Sequence, residues 1–312
     1  MKAVGGTSKG ELTYTLEGVA ADLRADGRGR LDYRHLTLEL ALFAHTAGSA
    51  RLSLGGTDVV VGVTAELAEP DAATPDEGRI VVSVGASAAM AEDELLALEA
   101  ALQSLYAHNV AAAALRALCI VPGAQCWQLR AHAQLLVAEG WPLDALALAV
   151  NAALHNTRVP KVVVEAEAAG AATAAAAAAA AAGGGGAAAP LDLDLDESLD
   201  ESLPFDASGL PVYVTLATIG THFVADCTTE ERRAAGCALS LALDARGRVC
   251  AIRAGGGYGV QLAPLADMLQ TARALGAALV DAARAAFASA AAAAEKEGAP
   301  MSDSGLRGLL AT

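Results

Sequence analysis

Two short stretches combine residue types that could bind phosphate or a metal ion. Gly55-Gly56-Thr57 looks like a phosphate-binding loop, but it has no Lys and it joins two strand-like runs. A loop of that kind needs a helix N-terminus behind it, so a hairpin turn is the preferred interpretation. An acidic run could imitate a Mg²⁺ site, whereas a solvated acidic linker is the commoner meaning of such a run. Its acidic residues are Asp192, Asp194, Asp196, Glu197, Asp200 and Glu201.

Cysteine and histidine indicate no further centre. The five cysteines are scattered and form no CxxC pair, which is typical of small buried side chains in a reducing compartment. The six histidines show no HxxxH or HxH spacing, so we interpret them as surface or core residues. A G-x-S-x-G elbow, a P-loop and a paired-carboxylate spacing are also missing. We therefore expect no metal, no cofactor and no catalytic residue of these classes.

The charge distribution limits the partners. A net charge of −15 argues against an extended nucleic-acid surface, because phosphate binding needs local positive potential. Nine acidic residues and no Lys or Arg lie between Glu165 and Asp206, which leaves −6 on the rest of the chain. RNA contact can then only be local. No run has the large apolar content of a membrane span, and residues 1–10 have no apolar segment like that of a secretory signal. We expect an intracellular protein without a membrane partner.

Hydrophobic patterning predicts two α+β halves separated by an insertion. Residues 168–190 are nearly pure alanine and glycine and have too few large apolar groups to offset the entropy of ordering. The second half repeats a shorter version of the strand and helix order of the first. The predicted division is 1–164 for domain 1, 165–208 for a disordered Ala/Gly-rich and acidic insertion, 209–290 for domain 2 and 291–312 for a C-terminal tail.

Periodicity and turn residues predict the individual elements. The predicted helices are Lys9–Arg24, Asp93–Leu118, Pro142–Leu154 and Leu262–Ala294. The predicted strands are 34–43, 50–54, 59–67, 79–84, 126–137, 212–219, 222–225, 238–244 and 249–253.

Several tracts, in their order, resemble the RNase PH-like family. Arg24-Ala25-Asp26-Gly27-Arg28, with Tyr33-Arg34 and Glu39 after it, is similar to the R-x-D-G-R…R…E opening of these proteins. Further tracts look like those of the eukaryotic exosome subgroup known as component seven: Pro75–Gly78, Leu118–Ile120 with Cys126-Trp127, Asn156–Lys161, Val214–Gly220 and Asp226–Glu231. The resemblance implies an α+β RNase PH-like fold of two βαβ-type halves, the first like domain 2 of ribosomal protein S5 and the second smaller.

The resemblance also identifies where phosphate would bind. Active relatives cut RNA with phosphate and place a Gly-Thr-Arg-Ser or Gly-Thr-Arg-Thr loop before a helix, where amides and an arginine hold the anion. The matching loop here, Glu139 to Asp144, lacks the hydroxyls and the arginine. It has a bulky indole, a proline without an N–H and two acids that would repel phosphate. We predict a degenerate phosphate loop formed by Gly140, Trp141, Pro142 and Asp144.

The catalytic aspartate of active relatives is the second missing part. Their strand that opens the second half matches Gly209–Val214, with Leu210 or a neighbour where the carboxylate should be. The resemblance therefore implies a protein that is not an enzyme. An active phosphate-dependent 3′–5′ exoribonuclease, with a misaligned or shared site, and a free-standing homo-oligomeric RNA-binding protein are the alternatives.

The partners follow from the resemblance as well. It implies a non-catalytic subunit of the RNA exosome ring, in a hetero-hexamer with other RNase PH-like subunits, S1 or KH cap subunits and a hydrolytic nuclease. The expected location is the nucleus, nucleolus and cytoplasm. A ring that threads single-stranded RNA needs basic side chains on its channel. The candidates are Arg116, Arg158 and Lys161, with solvent exposure or ion pairs between subunits as the other interpretation. For Arg24, Arg28 and Arg34, surface ion pairs and RNA contact both stay open.

Overall fold

A computed structural model describes residues 8–87, 90–163, 194–195, 202–256 and 262–297. In the first half, the helices are α1 (Lys9–Ala20), α2 (Glu92–Asn109), α3 (Ala112–Arg116) and α4 (Leu143–His155). The strands are β1 (Leu36–Leu40), β2 (Gly48–Leu54), β3 (Thr57–Ala68), β4 (Arg79–Ala86), β5 (Cys119–Val121) and β6 (Gln125–Val137).

These strands form a mixed sheet in the order β1-β2-β3-β6-β4, and β5 pairs with β6. Only β4 and β6 run parallel among these pairs, because α2 and α3 form the crossover between them. Burial alternates along β3, where Val59, Val61 and Val63 face the core. Gly55 has a φ of +57° and, with Gly56, joins the paired residues Leu54 and Thr57. The interpretation of this glycine pair as a hairpin turn is confirmed.

The second half has a four-stranded antiparallel sheet in the order β12-β11-β13-β14. Its strands are β11 (Val212–Ile219), β12 (His222–Ala225), β13 (Cys237–Leu243) and β14 (Val249–Gly255), and its helices are α5 (Thr229–Ala234) and α6 (Leu262–Glu297). Four two-residue strands connect the halves: β7 (Arg158–Val159), β8 (Val162–Val163), β9 (Asp194–Leu195) and β10 (Leu203–Pro204). Of these, β7 pairs with β10 and β8 with β9.

Helix α4 lies at the centre of the molecule. Its residues Leu143–Leu154 are all buried, and the helix contacts β2, β3 and β6 of the first sheet as well as β11 of the second. A helix covered on every side needs apolar residues on every side, which explains its run of Leu, Ala and Val. The two halves consequently share one continuous hydrophobic core.

The predicted α+β architecture of two unequal halves is confirmed, with differences at particular elements. The helix predicted over Asp93–Leu118 is interrupted at Val110, whose ψ of 143° is extended, so α2 and α3 are separate. Helix α5 was not predicted, and α6 continues past residue 291, the predicted start of the tail. Within the described residues, no helix is long and apolar enough to cross a membrane. The division into domains stays a prediction.

Candidate functional site

The loop between β6 and α4 is the predicted degenerate phosphate loop, and α5 of the second half covers it. The Gly140 amide donates a hydrogen bond to the Thr229 hydroxyl (3.2 Å), and the Gly140 carbonyl accepts one from Arg232 (2.8 Å). Gly140 has a φ of +68°, and a Cβ at this position would overlap the carbonyl oxygen of Cys227. The main chain of Gly140 therefore belongs to the contact between the halves.

Trp141 and Pro142 complete the loop without offering a polar group to an anion. The Arg232 guanidinium lies 5.4 Å from the centre of the Trp141 ring, a cation–π distance, and pairs with Glu94 of α2 at 2.5 Å. Pro142 is the N-cap of α4 and makes no side-chain cap hydrogen bond. Proline has no N–H, so one donor that a helix N-terminus normally presents is absent here.

Asp144 does not face the loop, which corrects the expectation that its charge repels phosphate there. Its side chain is buried and accepts hydrogen bonds from the Thr215 amide (2.7 Å) and the Thr215 hydroxyl (2.6 Å) on β11. Burial raises the pKa of Asp144 to about 7, although the hydrogen bonds from Thr215 oppose this shift. The carboxyl group joins the central helix to the second sheet.

Glu139, the other acid of the loop, is also engaged. Its carboxylate accepts hydrogen bonds from the Arg34 guanidinium (2.5 Å) and the Gly56 amide (3.0 Å). The Arg34 side chain also pairs with Asp226 at 2.7 Å. Glu139 thus connects the loop to the β2–β3 turn and to the residues that follow β12.

Three arginines of the opening motif form what we call the arginine clasp: Arg24, Arg28 and Arg34 bound to Asp226 and Glu231. The side chains of Arg24 and Glu231 are 0% and 7% exposed and lie 2.5 Å apart. Burial alone would lower the pKa of Arg24, but the hydrogen bonds and charge of Glu231 raise it. The Arg24 side chain is therefore neither a surface ion pair nor an RNA contact in this chain. Both earlier interpretations of Arg24 are wrong, because the second half covers it.

A cavity of about 370 Å³ lies between α1 and α5, beside the loop. Arg24 lines it, yet the guanidinium donates to Glu231, to two main-chain carbonyls of the second half and to that of Asp32. Glu139 and Glu230 also line the cavity and give its wall negative charge. An anion would find no free arginine there.

The strand that opens the second half has no carboxylate at the matched positions. Leu210 is buried at 5% exposure, Pro211 accepts a hydrogen bond from Asn151 of α4, and β11 begins at Val212. Asp206 caps the Ser208 amide. The acidic run 192–201 lies outside the described residues apart from the main chain of β9. Among the described residues, no three His, Cys, Asp or Glu side chains are grouped as metal ligands.

The candidate RNA contacts lie away from the loop. Arg158 follows the C-terminal end of α4, and 13 residues at about 1.5 Å each separate the two ends of that helix by roughly 20 Å. Arg158 and Lys161 are exposed, and Lys161 has an interaction partner. Arg116 is ion-paired with Asp76 at 3.0 Å while its side chain stays 61% exposed. The channel role of these three residues stays a prediction.

Helix α5 is the functional element that sequence reasoning missed. At six residues it is too short for hydrophobic periodicity to reveal. Thr228-x-x-Glu231 was the available signal, because both reciprocal hydrogen bonds of a capping box form there. The same Glu231 carboxylate binds Arg24, so one residue starts the helix and joins the halves.

Comparison with known proteins gives the same two-part division. The family model described as "3′ exoribonuclease family, domain 1" matches residues 32–160, and that for domain 2 matches residues 209–274. An RRP42 protein of Dictyostelium discoideum is 24% identical over 88% of this chain and 95% of its own length. The exosome complex component Rrp42 of Thermococcus kodakarensis is 30% identical over 74% of this chain and 79% of its own length.

A chain of the solved structure titled "Archaeal exosome core" superposes with a TM-score of 0.68 and 26% identity, covering 88% of this chain and 96% of that one. The sequence relatives and this structure agree on both halves and their order. On these grounds the chain belongs to the 3′ exoribonuclease family of RNase PH-like proteins.

Proposed function

We propose that this chain is a structural, non-catalytic subunit of an RNA exosome ring, which supports 3′–5′ RNA processing and degradation. The relatives named Rrp42 and the similarity to an archaeal exosome core support membership of the ring. Other RNase PH-like subunits are then its neighbours, in a hetero-hexamer. S1 or KH cap subunits, a hydrolytic nuclease and single-stranded RNA are further proposed partners. Nucleus and cytoplasm are the expected locations, and we extend this to the nucleolus.

The observation that carries the non-catalytic assignment is the closure of the loop at Gly140. A phosphate site at a helix N-terminus needs free amides and a cation. Here the Gly140 amide bonds to Thr229, Pro142 has no amide proton, and Arg232 binds Glu94 and the Gly140 carbonyl. Arg34 and Arg24, the other nearby cations, are held in the arginine clasp. These contacts favour a loop that joins the halves over one that binds phosphate.

The channel candidates fit this proposal as a non-specific RNA contact. Phosphate binding without sequence reading needs only a few basic side chains, and the mild negative charge of the folded part permits only a local patch. We propose Arg158, Lys161 and Arg116 as that patch. Replacing the three by Ala should weaken binding of single-stranded RNA to the assembled ring and reduce the salt dependence of binding by up to about three phosphate contacts.

The decisive experiment incubates the purified chain, alone and in the reassembled ring, with 5′-labelled single-stranded RNA, phosphate and Mg²⁺. We expect incorporation into the ring and no release of nucleoside diphosphates by the chain alone. A matched variant restores the Gly-Thr-Arg-Ser sequence by replacing Trp141, Pro142 and Leu143, and it should stay inactive because α5 still covers Gly140. Nucleoside diphosphates released by the unmodified chain would instead establish the alternative, a working phosphate-dependent 3′–5′ exoribonuclease.

A further inference from the structure

The outer edge of β14 is open. This strand is last in the order β12-β11-β13-β14, and within residues 202–256 it pairs with β13 alone. Outside that ladder, the main chain of Val249–Gly255 makes no hydrogen bond to any other described residue. A free row of N–H and C=O groups is a template for pairing with another strand.

The other sheet edges of the described chain are closed. On β4, the Val82 amide donates to the Gln103 side chain (2.7 Å) and the Val84 amide to the Glu99 side chain (2.9 Å), both from α2. On β12, the Ala225 amide donates to the Arg30 carbonyl (2.9 Å). The remaining edge, β1, is contacted by α6. Blocking of this kind prevents unwanted pairing, and β14 differs in lacking it.

Apolar side chains accompany the open edge. Ile252 is 55% exposed and Val249 is 43% exposed, although their β13 partners Leu241 and Leu243 are buried. Paired residues of an antiparallel sheet point to the same face, and Gly276 of α6 packs against Leu243. The exposed pair therefore extends the α6-covered face of the sheet beyond the helix. A partner strand would bury this apolar margin.

The charge of the β13–β14 hairpin selects the kind of partner. Residues 244–255 contain Asp244, Arg246, Arg248 and Arg253, a net charge of +2 in a chain whose total is −15. Two copies of this hairpin would bring like charges together, which opposes pairing. We propose that β14 pairs edge to edge with a strand of a different RNase PH-like chain that carries acidic side chains. This inference rests on the proposed ring function and specifies one of its contact surfaces.

The test reassembles the full-length chain with the other RNase PH-like chains of the same organism and measures complex formation by light scattering after gel filtration. Ile252→Lys places a charge on the open edge at an exposed position, so the fold should tolerate it. We expect the variant to weaken assembly by about tenfold or more. The control, Leu23→Lys, changes a side chain that is 61% exposed after α1 and should change assembly by about twofold at most.

Hydrogen exchange gives a second measurement that needs no variant. On assembly, amides of Val249–Gly255 should become protected by about tenfold or more, whereas those of Val82 and Val84 should not change because α2 already binds them. A normal ring with Ile252→Lys and unchanged exchange at β14 would overturn the edge assignment and leave the ring function intact. Failure of the unmodified chain to join any RNase PH-like partner would overturn both. Self-association of the chain alone that Ile252→Lys abolishes would overturn the choice of partner in favour of a second copy.

Discussion

The two halves meet at two regions whose chemistry differs. Along α4 the contact is almost wholly apolar, and the polar side chains Asp144 and Asn151, seven positions apart on one face, bind Thr215 and Pro211 of the second half. At the arginine clasp the contact is made by buried ions. Apolar burial provides free energy in any well-packed arrangement, whereas ion pairs need one geometry and gain little over apolar replacements. The helix therefore holds the halves together, and the clasp fixes how α5 lies on the loop.

Removing one ion of the clasp should have the largest effect. Arg24→Met leaves the Glu231 carboxylate, on a residue that is 5% exposed, without its cation. Loss of one partner of a buried pair costs about 3–5 kcal/mol of the free energy of unfolding, measured by urea denaturation.

The control for this prediction is Arg51→Met, in the exposed pair with Asp58, where the Arg51 side chain is 44% exposed. An exposed pair contributes at most about 1 kcal/mol. Equal losses in the two variants would mean that the clasp is solvated and does not order the contact.

Gly140→Ala should have the next largest effect, because the loop and α5 are in direct contact. A left-handed φ costs an Ala about 1–2 kcal/mol, and the overlap with the Cys227 carbonyl adds roughly 1–3 kcal/mol. Gly247→Ala is a matched control, since its φ of +70° is similar and no heavy atom lies within 4 Å of the added Cβ. Thermal unfolding of the two variants should differ by the overlap alone. A Gly140→Ala protein as stable as Gly247→Ala would show that α5 can leave the loop at little cost.

Asp144→Asn tests the α4 side of the comparison through pH. The folded-state pKa is about 7 against 3.8 in the unfolded chain, so the native state binds the proton more tightly and this group's contribution to stability falls as pH rises from about 4 to 7. Asn does not titrate, and the Thr215 hydroxyl can accept from its amide because Ser240 lies 2.8 Å away as an alternative partner. Relative to the unmodified chain, the variant should therefore gain up to about 3 kcal/mol across this range.

Asp244→Asn provides the opposite sign for the same measurement. Burial of Asp244 would raise its pKa, but hydrogen bonds from Arg248 and Arg246 lower it below the ordinary value. Its contribution to stability is present at neutral pH and is lost as pH falls. Urea titrations of both variants from pH 4 to 8 should show slopes of opposite direction. Parallel slopes would mean that Asp144 is ionised and solvated in the folded protein.

The sequence predicted the central helix and both sheets because each has strong periodicity or β-branched runs. Pro142–Leu154 reads as one helix from its own residues, and its burial on all sides follows from the same apolar run. The contacts that close the loop could not be predicted in this way. Arg24 and Glu231 are 207 positions apart, and no local pattern states that they meet. For the same reason Asp144 was placed in an open loop, since only the position of Thr215 in space shows that its carboxyl group is buried.

Loss of the α5 cap should have the smallest effect and separates the two regions most finely. Thr228→Ala removes the hydroxyl that accepts from the Glu231 amide, and an N-cap of this kind contributes about 1 kcal/mol. Ser8 forms the same capping box on α1 but is exposed. Because Glu231 also binds Arg24, fraying of α5 should reach the clasp, so Thr228→Ala should speed hydrogen exchange around Gly140 as well as in α5. Ser8→Ala should speed exchange only within α1. Confinement of the Thr228→Ala effect to α5 would show that the clasp holds the loop closed without an intact helix.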